Sequence, residues 1–188
     1  MLAGGAFEVL APATAEHINE VCSTDWANLT HHPIASLACS YPLSGGFPLA
    51  WSLALVVGVG ACEQVLGPVR VLTICVATHV AATLLSQGLL LLLVRSGERP
   101  VTDLADIDIG PSYVAVAGLA AACVLATPGR RFLAAALLLV LAPTLLRGLA
   151  SGDTAAVGHV LAATLGAGLA ALSRGHRRTP ARVDGLLA

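Results

Sequence analysis

Lysine is absent from the chain, and charge of either sign is scarce. Only 11% of the 188 residues are charged, against 56% hydrophobic. A soluble domain carries about 25% charged residues, so this chain cannot cover a water-facing surface. The net charge of −1 offers no bulk field for nucleic acid. The five cysteines, at 22, 39, 62, 75 and 123, show no C-x-x-C spacing, which removes the usual redox and zinc patterns. There is no phosphate loop, no H-E-x-x-H, and no Asp or Glu inside an apolar run. Phosphoryl, nucleotide and metal chemistry therefore have no anchor, and neither a cofactor nor a metal is expected. Met1–Leu10 has neither the positive start nor the long apolar core of a signal peptide.

What is present is apolar sequence in long blocks, with mean hydropathy +0.83. That pattern predicts an all-α, polytopic transmembrane helix bundle with five spans. They fall at about 47–62, 69–94, 111–127, 132–150 and 154–173. Residues 1–46 read as an external segment, 47–173 as the transmembrane core, and 174–188 as a cytoplasmic tail containing arginine. Ile34–Leu43 is too short to span and reads as an interfacial or re-entrant piece. Turns are predicted at Glu63–Pro68, Pro128–Arg131 and Ser151–Asp153. The third run reaches about 26 Å at 1.5 Å per residue, short of the roughly 30 Å hydrocarbon core, so its start can lie below the membrane surface.

Arginine sets the orientation. With the C-terminus inside, the inner side holds Arg70, Arg130, Arg131, Arg174, Arg177, Arg178 and Arg182, and the outer side Arg95, Arg99 and Arg147. Residues 1–47 and 95–110 are then external, and Cys22 and Cys39 can pair if that side is oxidising. The other three cysteines lie in or beside apolar runs, where a thiol packs as a small hydrophobe.

Two residues stand out for chemistry. Ser112 is the second residue of the third run, preceded by Gly110 and Pro111, and His159 is the sixth residue of the fifth. Both runs enter from outside, so the two share a depth in the outer third of the bilayer. A serine hydroxyl needs a base to take its proton, and histidine is the usual one. Pro111 suits a helix start. The first-turn backbone N–H groups of Ser112 and Tyr113 are then free to hold an oxyanion. The bland alternative is that Gly-Pro merely starts a helix and His159 bonds across a small-residue interface at Gly158, Ala162, Ala163, Gly166 and Gly168. Thr73, Thr78, His79, Thr83, Ser86 and Gln87 can share an inward stripe of the second run, where His79 has a structural hydrogen bond as its simplest role. His31-His32 reads as a pair of exposed loop histidines before it reads as a metal pair.

These residues resemble the rhomboid intramembrane serine proteases, in a divergent rhomboid-like form of actinobacterial type. The resemblance rests on Gly110-Pro111-Ser112 at the start of a short helix, His159 with Ala162 and Gly166 following, and Glu63-Gln64-Val65-Leu66-Gly67 after an earlier helix. It extends from about residue 25 to residue 173. It implies a six-helix core whose first helix is missing here, with residues 1–15 at most the outer end of that helix. It also implies a Ser112–His159 dyad cleaving transmembrane protein substrates within the lipid bilayer. Three positions depart from the family pattern. Tyr113 stands where the family has glycine, and Phe47 and Trp51 stand where it has a histidine and an asparagine that help hold the oxyanion. The alternatives are an inactive rhomboid-like protein that binds partner helices, and a small transporter resting on His79 and Gln87.

Overall fold

The computed structural model describes residues 12–40 and 48–175. They form eight α-helices, with no strand among the described residues. Three short helices come first: α1 (Pro12–Cys22), α2 (Trp26–His31) and α3 (Pro33–Cys39). Asp25 starts α2 by accepting from the Asn28 backbone N–H at 2.9 Å, a side-chain cap on an otherwise unpaired donor. Cys22 and Cys39 are joined by a disulfide, Cα–Cα 5.3 Å, which ties α1 to α3.

Five longer helices follow: α4 (Pro48–Leu66), α5 (Pro68–Arg95), α6 (Ser112–Leu125), α7 (Pro128–Leu145) and α8 (Thr154–Gly175). Four of them are long and apolar enough to cross a membrane, and α6 is a shorter apolar helix. Polarity is inverted relative to a soluble fold. Val56, Leu139 and Phe132 are 72%, 75% and 77% exposed, while Thr78, Thr83, Ser86 and Gln87 are buried. Lipid solvates the first set, and the second is enclosed within the helix bundle.

The helix ends differ from the sequence expectation in three places, each for a local reason. α4 runs through the turn expected at Glu63, because Gly67 alone reverses the chain at φ +82°. Pro128–Arg131 is the first turn of α7 rather than a loop, since proline at the first helical position loses no hydrogen bond. α7 stops at Leu145, five residues early, where Gly148 at φ +80° and Gly152 at φ +74° turn the chain through a short 3-10 segment, Leu149–Ser151.

α6 is the hub. It packs most extensively on α8 and α4, then on α7 and α5. All but three of its 14 residues are buried. The close approach is made by small residues. A Cβ on Gly58 would lie 2.5 Å from the Leu119 backbone nitrogen, and one on Gly166 would lie 2.5 Å from the Ala117 carbonyl oxygen. The C-terminal end of α6 is capped by cations. Arg131 donates to the Ala126 and Val124 carbonyls at 2.6 and 2.9 Å, and Arg174 donates to Val124 O at 3.0 Å. These bonds satisfy end-of-helix carbonyls and oppose the negative pole of the helix dipole. Arg130 bonds Gln64 beside them. This basic end therefore gathers the close of α4, α6 and α8 with the start of α7, and Ser112 lies at the other end.

Candidate active site

The Ser112 end of α6 is built around a clasp. Asp108 N–H donates to Ser23 Oγ at 3.0 Å, while Thr24 donates to the Asp108 carbonyl from its backbone N–H at 2.8 Å and its hydroxyl at 2.9 Å. Gly110 N–H donates to the Ser40 carbonyl at 3.0 Å. Ser23 and Ser40 each follow a disulfide cysteine, so the Cys22–Cys39 bond sits directly behind the clasp. Gly110 has φ +118°, a backbone state that side-chain-bearing residues rarely adopt. It turns the clamped segment into Pro111, which is buried, and α6 begins at Ser112.

Ser112 Oγ lies 3.0 Å from His159 Nε2. The other ring nitrogen, Nδ1, lies 2.9 Å from the Leu145 carbonyl oxygen. Leu145 is the last residue of α7, where a helix leaves its carbonyls without internal partners. That carbonyl can only accept, so the proton sits on Nδ1 and the Nε2 lone pair faces the serine hydroxyl. The early end of α7 thus supplies the group that orients the histidine. Sequence reading missed it because a backbone carbonyl has no side-chain signature; the Gly148 turn was the available signal.

Tyr113 packs edge-on against His159, with ring centroids 5.3 Å apart and planes at 78°. Its hydroxyl donates to Asp108 Oδ2 at 3.1 Å. Gly158 makes room for this ring, since a Cβ there would overlap the phenol. Tyr113 was expected only as a backbone donor, and Asp108 had no expected role. The backbone N–H groups of Ser112 and Tyr113 lie in the first turn of α6, which has no internal acceptor for them. Burial, the largest cause, raises the Asp108 carboxyl to about 6. Hydrogen bonds from Tyr113, Thr24 and Gln87 pull the other way, and the Asp153 charge adds to the rise.

The remaining candidates fall elsewhere. Gly166 sits far along α8 and serves the packing against Ala117. Trp51 is buried in the core of α4, and Phe47 lies outside the described residues. On α5, Thr78, His79, Thr83, Ser86 and Gln87 are buried, but Thr73 is exposed and bonds its own helix at Val69 O. Five residues along a helix from Thr73 to Thr78 turn the side chain by about 140°, which takes Thr73 off the inward face. His79 Nε2 lies 3.1 Å from the Leu37 carbonyl oxygen, a tie between α5 and α3. His31 and His32 are exposed, and no cluster of metal-ligating residues occurs among the described residues.

The fold is that of a polytopic helical membrane protein, organised about a short central helix with a serine and a histidine in contact at one end. Residues 2–179 match the family described as rhomboid-like protein, and the chain belongs to that family. Comparison with curated proteins gives no match, and comparison with solved structures gives none.

Proposed function

We propose that the protein is an intramembrane serine endopeptidase that cleaves membrane-protein substrates. The single observation that carries this reading is the 3.0 Å contact between Ser112 Oγ and His159 Nε2, with Nδ1 held by Leu145 O. In the mechanism, Nε2 takes the hydroxyl proton as Ser112 Oγ bonds to the scissile carbonyl carbon. The resulting oxyanion is held by the first-turn N–H groups of Ser112 and Tyr113, aided by the positive end of α6. His159 returns its proton to the leaving amine as the C–N bond breaks. Water, activated by the same Nε2, then hydrolyses the acyl-enzyme and regenerates Ser112.

Seven arginines against three favour a cell-membrane orientation with the C-terminus cytoplasmic and the site toward the external face. The clasp of Ser23, Thr24 and Ser40 then lies on the oxidising side, consistent with the Cys22–Cys39 disulfide.

The test is labelling by a fluorophosphonate probe in detergent or liposomes. Wild type is expected to label and Ser112→Ala to lose at least about 10³-fold in rate, with its fold unchanged. Equal labelling of the two removes Ser112 as nucleophile. The second reading is a catalytically inactive helix-binding protein. Trp51, in the place of a polar oxyanion partner, favours it. It predicts that a crosslinked partner helix is retained equally by Ser112→Ala and His159→Ala.

A further inference from the structure

We propose that Asp108 is a positioning residue for His159, acting through the hydroxyl and ring of Tyr113. This inference rests on the dyad reading above and adds to it a part the dyad alone does not need.

The geometry forms a continuous path. The Asp108 carboxylate accepts from the Tyr113 hydroxyl at 3.1 Å, and the Tyr113 ring meets the His159 ring edge-on at a centroid distance of 5.3 Å. With Asp108 ionised, that hydrogen bond is charge-assisted and therefore stronger than a neutral one. His159 must meet the serine proton with its ring correctly aimed, so its orientation bears directly on the proton transfer. The same hydrogen bond fixes the phenol in the space left by Gly158, and the phenol in turn limits the tilt of the imidazole. Sub-ångström placement of a base matters to its rate.

Asp108 itself is immobilised by bonds that do not use its carboxylate oxygens. Its backbone N–H and carbonyl are held by Ser23 and Thr24. The groups facing the carboxyl are Thr24 from the α1–α2 turn, Gln87 from α5, Tyr113 from α6 and the Asp153 charge at the start of α8. Ser86 of α5 reaches the Tyr113 hydroxyl beside it. The carboxyl titrates at about 6, so the support for His159 is present above that pH and lost as pH falls through it.

The test compares fluorophosphonate labelling rates of the full chain in liposomes across pH 5 to 8 for wild type, Asp108→Asn, Tyr113→Phe and the double variant, with Ser112→Ala as control. The rate ratio of wild type to Asp108→Asn is expected to be about tenfold at pH 8, the scale of one hydrogen bond to a charged group, and to fall toward one at pH 5. Tyr113→Phe keeps the ring and the backbone but lacks the hydroxyl. It is expected to show the same pH-dependent ratio, and the double variant no further loss. If Asp108→Asn does not fold, the Tyr113→Phe ratio decides alone. A ratio independent of pH, or losses that multiply in the double variant, overturns the positioning role while leaving the dyad intact. Equal labelling of Ser112→Ala overturns the dyad, and this inference falls with it.

Discussion

From its middle to its basic end, α6 meets its neighbours backbone against backbone; at the Ser112 end it meets them through hydrogen bonds. Gly58, Gly118 and Gly166 let α4 and α8 approach the α6 main chain so closely that no side chain fits between. The surroundings there are Ala, Val and Leu, and the polar work is left to Arg131 and Arg174 at the helix end. At the Ser112 end, space is filled instead by Tyr113, His159, Asp108 and the polar face of α5, held under a disulfide-tied cap. The first region supplies stiffness without chemistry. The second spends some of that stability on desolvated polar groups, which are the ones that can move a proton.

The comparison breaks most severely at the glycines. Gly166→Leu and Gly58→Val push side chains into main chain that cannot yield. Each is expected to cost about 3 kcal/mol or more, at the upper end of overpacking penalties, read as loss of the folded bundle in a denaturant titration. Ser112→Ala, by contrast, should leave the same titration unchanged.

Next in size is the cap. The Cys22–Cys39 bond closes a loop with sequence separation 17, for which chain entropy alone gives about 3 kcal/mol. Replacing both cysteines with serine is expected to loosen residues 12–40 first, seen as faster proteolysis of that segment. Hydrogen exchange at Asp108 and Gly110, whose N–H groups are held there, should rise with it, while exchange in the middle of α6 does not change.

The last effect, spread over a pH window rather than felt at once, is the pH dependence of stability. The folded state raises Asp108 from its ordinary value of 3.8 to about 6. Between those values the folded state binds more protons than the unfolded one, so stability falls as pH rises through that window and levels above it. Asp108→Asn removes this slope. Its Tm is expected to exceed that of wild type above pH 6 and to converge with it near pH 4. A variant more stable yet slower at neutral pH would mark Asp108 as a group kept for its chemistry.

The bundle was legible because hydropathy is read over long windows. Five apolar runs needed no side-chain detail. The contact of Ser112 with His159 was legible because each is an unusual residue near the start of an apolar run. Helix ends were less so: Glu63 and Gln64 look like a turn but continue α4, and Leu146–Ala150 look like helix but follow its end. The rest of the site was hidden for the same reason. Leu145 contributes only a carbonyl, and Asp108 acts on His159 through an aromatic ring from a different element. Neither relation has a periodicity to read.

The most direct measurement is the rate and position of fluorophosphonate attachment in wild type and His159→Asn, with the modified residue mapped by mass spectrometry. The adduct is expected on Ser112 alone, and at least about 10³-fold slower without the imidazole, in a variant that still folds. An adduct on another residue, or one that forms on Ser112 as fast in His159→Asn as in wild type, would contradict a serine activated by this histidine.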